Sequence, residues 1–182
     1  IQSIPELLDA AVKRFGSAVA LRKRAEAGVW SMYTWTELRH RVLETAAGLV
    51  EWGLRAGDRV AILSNTRIEW TLADYSIMSA GGVSVPLYHS YSRAQVTYCL
   101  NNSRARVVFV EGREQLELLR SIRGHLNYLE KVVSFQLTGS NEPDEFHLDS
   151  LRRQGRKRLG DRDRSAIPLG QGVGIDDPAT IV

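Results

Sequence analysis

Cysteine occurs once, at Cys99, so no bridge can form within the chain and the sequence suits a reducing compartment. No apolar run approaches the ~18 residues that a membrane-spanning helix needs. No basic stretch followed by an apolar one reads as a secretory leader, so neither a span nor a signal peptide is expected. The four histidines, His40, His89, His125 and His147, lie far apart, and none stands at ligand spacing from another or from Cys99. A zinc site is therefore not expected. No serine sits in a nucleophile-elbow pattern. Asn101-Asn102-Ser103 matches the glycosylation acceptor pattern, but it falls where a helix should end and is read as that end.

What is present is ordinary globular composition: 182 residues, 43% hydrophobic and 25% charged. A chain of this size buries roughly 70% of its unfolded surface and needs no covalent staple. The net charge of +3 is local in origin. From Leu151 to Ala166, seven basic residues (Arg152, Arg153, Arg156, Lys157, Arg158, Arg162, Arg164) face only Asp161 and Asp163, which leaves the rest of the chain at −2. Few aromatics interleave the segment, so no nucleic-acid partner is expected. Two readings stay open for it: a solvated helix and loop, or a patch for anionic lipid headgroups or coenzyme phosphates.

Four Ser/Thr-x-x-Glu/Gln patterns mark helix starts: Ser3/Glu6, Thr34/Glu37, Thr66/Glu69 and Ser92/Gln95. They open helices toward Gly16, Gly53, Ala80 and Leu100, and a further helix is expected over about 113–123. Short strands are expected at Val19–Arg24 and Trp30–Tyr33, joined through Ala27-Gly28. Apolar, β-branched strands follow at Val60–Leu63, Val83–Tyr88, Arg106–Val110 and Lys131–Phe135. Strands alternating with amphipathic helices imply right-handed βαβ crossovers: an α/β fold with a mostly parallel sheet and helices on both faces. Past Phe135 the pattern weakens. Asn141–Asp144 reads as a turn, Phe146–Leu159 as a stretch holding a basic helix, and 162–177 as loop.

Gly170-Gln171-Gly172-Val173-Gly174 invites a phosphate-loop reading. No strand precedes it, and Asp176-Asp177-Pro178 follows it, so the required strand–loop–helix order is missing and a linker is the better reading. The adjacent aspartates are read as solvation or capping rather than a cation site. Ala179-Thr180-Ile181-Val182 reads as the onset of a buried strand, whose ladder groups need a continuation.

Two stretches carry a more specific resemblance. Tyr33-Thr34-Trp35-Thr36-Glu37-Leu38, continuing through Gly53-Leu54-Arg55-Ala56-Gly57-Asp58-Arg59-Val60, resembles the opening signature of the adenylate-forming (AMP-binding) superfamily. Gly81-Gly82-Val83-Ser84-Val85-Pro86-Leu87-Tyr88, with Gln95 to Ser103, is similar to its next signature. Asn65-Thr66-Arg67-Ile68-Glu69-Trp70 and Pro86-Leu87-Tyr88 look most like bacterial long-chain fatty acyl-CoA ligases, while Tyr88-His89 stand where peptide-synthetase domains usually show an aspartate and a proline.

The resemblance implies an acyl-CoA synthetase-like amino-terminal domain. Residues 1–182 are expected to form the first portion of the large domain, cut before its phosphate loop, with 136–177 a loop and basic-helix insertion. It implies ATP, Mg2+ and CoA as cofactors of the parent enzyme and a fatty acid as its substrate; a cytoplasmic location is expected from the lone cysteine and missing span, with peripheral membrane contact through Arg152–Arg164 as the alternative. It assigns no catalytic, cofactor-binding or metal residue within this stretch, which alone is expected to be inactive. Trp35, Trp70 and Tyr88 are expected as packing surfaces. The rival readings are a non-catalytic α/β binding or membrane-surface module, and a ligase for medium-chain or aromatic acids.

Overall fold

Three of the four capping signatures open helices in the computed structural model, which describes residues 3–24, 30–139, 142–170 and 172–181. Ser3 Oγ accepts the Glu6 N–H at 3.3 Å and starts α1 (Ile4–Phe15). Thr34 and Glu37 exchange bonds of 2.8 and 3.1 Å, a reciprocal box that starts α2 (Trp35–Glu51). Between these helices, β1 (Val19–Arg24) and β2 (Trp30–Thr34) form an antiparallel pair. The Ala27-Gly28 connection expected there lies outside the described residues. After β3 (Arg59–Leu63) comes α3 (Ile68–Ser79), and here the expected Thr66/Glu69 box is absent. Arg67 is the cap residue and makes no side-chain cap bond. Glu69 instead receives Arg67 Nε at 2.7 Å and Lys23 Nζ at 3.6 Å. A charge-assisted bond outcompetes a neutral N–H for the same carboxylate.

Beyond α3 the chain runs through β4 (Val83–Leu87), α4 (Arg93–Ser103), β5 (Val107–Val110), α5 (Arg113–Ile122), a 3-10 turn at Arg123–His125, β6 (Lys131–Ser134), β7 (Glu145–His147) and α6 (Leu148–Leu159). Ser92 and Gln95 make the reciprocal box of α4, and Asn101-Asn102-Ser103 ends that helix as expected. Five strands form one all-parallel sheet in the order β4-β3-β5-β6-β7. The fold is α/β with helices on both faces. Gly57 and Gly81, both with φ near +80°, meet where β3 and β4 begin, and the Gly57 N–H donates to the Gly81 carbonyl at 2.8 Å.

Strand alternation divides the core. Val60, Ile62, Val107, Phe109 and Val133 face α1, α2, α3 and α6, whereas Ala61, Leu63, Val85, Leu87, Val108 and Val110 face α4 and α5. Strand β7 was not visible in the sequence. Its three residues are all half-buried, too few for a periodic signal, yet they add in register beside Val132–Ser134. At the opposite edge, residues 179–181 lie parallel to β4. The Ser84 N–H donates to the Ala179 carbonyl and the Ile181 N–H to the Ser84 carbonyl, each at 2.9 Å. The strand onset expected there does pair with the sheet. It is not buried, since Thr180 and Ile181 are exposed. Val182 lies outside the described residues.

Helix α6 lies against α2 at very short range. A Cβ on Gly48 would come within 2.5 Å of the Leu151 carbonyl oxygen, and one on Gly155 would collide with the Glu44 carbonyl.

Candidate functional site

In an open parallel sheet, ligands bind outside the carboxyl ends of the strands where neighbouring connections depart to opposite faces. Here that point lies between β3, whose exit leads to α3 on one face, and β5, whose exit leads to α5 on the other. Glu111, just past β5, reaches across it. Its Oε2 accepts the Asn65 N–H at 3.1 Å, Asn65 Nδ2 at 3.0 Å and Ser64 Oγ at 3.4 Å, while Oε1 lies 3.3 Å from Arg67 Nη1. Burial pushes the Glu111 carboxyl up, but the Asn65 hydrogen bonds and the Arg67 charge outweigh it and hold the group below the usual carboxylate range. The same guanidinium bonds Glu69 and lies over the Phe135 ring, 5.8 Å from its centre.

Beside this network a cavity of about 370 Å3 opens between the exits of β3 and β4, lined by Asn65, Thr66, Trp70, Pro86, Tyr88 and His89 together with Ser64 and Leu87. No lysine, arginine or carboxylate lines it. Trp70 is half-buried against the core, whereas Tyr88 is 66% exposed and meets Tyr91 edge-on at 5.4 Å. The packing role expected of Tyr88 is thus corrected: the residue stands past the last β4 pairing, where no helix covers it. Ring faces and uncharged hydrogen-bonding groups converge here, an arrangement suited to an uncharged part of a ligand.

The other sequence candidates go elsewhere. Arg152 and Arg156 converge on the buried Glu44 at 2.8 and 3.0 Å, and Arg158 pairs with Glu51 at 2.7 Å, so much of the basic segment is tied to α2. Arg153 and Lys157 remain exposed. The glycine-rich stretch is anchored to α1: Asp9 Oδ2 accepts the Leu169 N–H at 3.0 Å and Gly170 packs against Pro5, while Gln171 lies outside the described residues. Asp177 caps its own turn through the Gly174 N–H at 2.8 Å. His40, His89, His125 and His147 fall on α2, the β4 exit, the 3-10 turn and the start of α6. Among the described residues, no group of three or more His, Cys, Asp or Glu side chains could hold a metal ion, and no helix is long and apolar enough to cross a membrane. Glu111 escaped the sequence reading, and Asn65 entered it only within a family resemblance. The available signal was polar residues just past two apolar strands, Ser64-Asn65 after β3 and Glu111 after β5.

Known proteins give this geometry its context. The sequence profile of the AMP-binding enzyme family matches residues 8–181. The long-chain-fatty-acid–CoA ligase FadD15 of Mycobacterium tuberculosis is 36% identical over 119 residues, which span 65% of this chain and 20% of that protein. A second M. tuberculosis protein, a CoA ligase for a propanoyl group bearing a methyl-dioxo-octahydroindenyl ring system, is 33% identical over 112 residues, 62% of this chain and 21% of its own length. The crystal structure of a long-chain-fatty-acid-CoA ligase, FadD1, from Archaeoglobus fulgidus superposes with a TM-score of 0.75 at 20% identity, covering 98% of this chain and 33% of that one. At that identity the likeness concerns the fold. The chain spans about a fifth of the length of these curated relatives. With its two signatures on the β-strand entries, its parallel sheet and a family profile running almost end to end, the chain belongs to the AMP-binding, adenylate-forming enzyme family.

Proposed function

We propose that this chain is the amino-terminal portion of a cytoplasmic, AMP-forming long-chain fatty acid–CoA ligase, in which residues 1–182 precede the phosphate-binding loop. The observation that carries the reading is the 36% identity shared with a long-chain fatty acid ligase over 65% of the chain. In the proposed reaction a carboxylate oxygen of the fatty acid attacks the α-phosphorus of ATP. The bond from that phosphorus to the bridging oxygen breaks, and pyrophosphate leaves. The CoA thiolate then attacks the acyl carbon, and AMP departs with the oxygen that joined it to the acyl group.

Among the described residues no cluster of three or more His, Cys, Asp or Glu side chains gathers that could hold a metal ion, and the sequence 170–174 lacks the strand–loop–helix order of a phosphate cradle. No step is therefore assigned to a residue here. The chain contributes the sheet and the walls of the crevice at the β3 and β4 exits. The test is fatty-acid-dependent exchange of pyrophosphate into ATP by the whole protein, followed by CoA-dependent release of AMP. Both should occur with long aliphatic acids. Exchange with no carboxylic acid would refute the adenylating reading.

A second reading is favoured by the relative acting on a ring-bearing propanoyl group. Exchange with cyclic or aromatic acids, and none with aliphatic ones, would select it.

A further inference from the structure

We propose that Glu111 is a positioning residue: from the β5 exit it holds the loop after β3, residues 64–67, in the shape that walls the cavity between β3 and β4. The inference rests on the functional reading above for its kinetic consequence, though not for its structural one.

The loop has little else to hold it. Arg67 caps α3 without a side-chain bond, and the Thr66 hydroxyl makes no cap to Glu69. Glu111 holds the chain two residues ahead of that uncapped helix start, taking both the backbone and side-chain N–H of Asn65 on a single oxygen. Its second oxygen faces Arg67, whose Nε is occupied by Glu69. Three of the four loop residues are thus tied to one carboxylate on a different strand. The cavity is lined by Ser64, Asn65 and Thr66 but not by Glu111 or Arg67. The charges lie behind the wall and shape it, while Ser64, Asn65 and Thr66 present no charge to the cavity. Removing the carboxylate frees the Asn65 N–H and leaves the Arg67 charge half-compensated, so the wall moves while the sheet behind it stays.

The experiment compares Glu111→Ala and Glu111→Gln with the unaltered whole protein. Two measurements are made: amide hydrogen exchange over 60–68 and steady-state kinetics. In Glu111→Ala, exchange at 65–67 should accelerate at least about tenfold while 60–63 stays protected. KM for the carboxylic acid or for the thiol should rise by about tenfold, with kcat and the KM for ATP within about twofold. Glu111→Gln, which keeps an oxygen for the Asn65 N–H and loses the charge facing Arg67, should fall between the two.

Unchanged exchange at 65–67 overturns the proposal. So does uniform acceleration across 60–68, or a rise confined to the KM for ATP. If the unaltered protein shows no acid-dependent exchange of pyrophosphate, the functional reading fails, and the amide measurement still decides whether Glu111 holds the loop.

Discussion

Arg39 joins three stretches of chain that are far apart in sequence. The residue is 5% exposed, with Nε on Asp9 at 2.6 Å, Nη1 on the Arg164 carbonyl at 2.6 Å and Nη2 on the Ile167 carbonyl at 2.5 Å. Truncation leaves a partly buried carboxylate and two carbonyls without their donor. Arg39→Ala should therefore cost about 3–5 kcal/mol in urea denaturation. Arg39→Lys should recover less than half, because a point charge cannot serve three acceptors in a planar fork. A loss below ~1 kcal/mol for Arg39→Ala would show that the network is dispensable. Asp74 presents the opposite electrostatics, since burial pushes its carboxyl above the usual carboxylate range. A carboxyl raised by folding contributes fully below its unfolded pKa and loses that contribution as pH rises through its folded one. Asp74→Asn should then raise the thermal midpoint at neutral pH, with a gain that shrinks on acidification. A midpoint difference independent of pH would contradict this.

At the scale of elements, the α2/α6 crossing depends on the absence of two side chains. Overpacking a close crossing costs about 1–3 kcal/mol. Gly155→Ala should reach the top of that range, because a Cβ there meets backbone that cannot swing away. Gly124→Ala, with open space around the added Cβ, should change stability little. Equal effects of the two substitutions in thermal melts would refute the crossing as described. The contact also explains why the basic segment could not be resolved from sequence. Seven cations were visible there, but Glu44 lies more than a hundred positions earlier, and nothing local pairs it with Arg152 or Arg156. Capping signatures fared better because their partners stand three residues apart. Ser92/Gln95 and Thr34/Glu37 formed as read. Thr66/Glu69 did not form: Arg67 is the cap, and Arg67 and Lys23, the latter on a distant strand, hold the Glu69 carboxylate.

Across the whole molecule, one parallel sheet separates two apolar layers, and β3 and β5 are paired on both sides while β4 and β7 stand nearer the edges. Exchange protection should follow that order. Amides of Val60–Leu63 and Val107–Val110 should exchange slowest, and those of Glu145–His147 and Ile181 fastest among the sheet-bonded groups. If Ile181 exchanged as slowly as Ile62, its single bridge to Ser84 would understate how firmly that segment joins the sheet. The candidate site sits at the carboxyl ends of the same central strands, so its outer wall can shift without loss of either core.

The sequence by itself determined the α/β class, the parallel strands with their crossing helices, most helix starts and the family, because each depends on spacings of a few residues or on contiguous signatures. Only the tertiary structure decided that β7 completes the sheet, that Tyr88 faces solvent, that Arg152, Arg156 and Arg158 of α6 turn toward α2, and that Glu111 bonds a loop residue 46 positions before it. These depend on which distant groups meet once the apolar layers close, and no local pattern encodes that meeting.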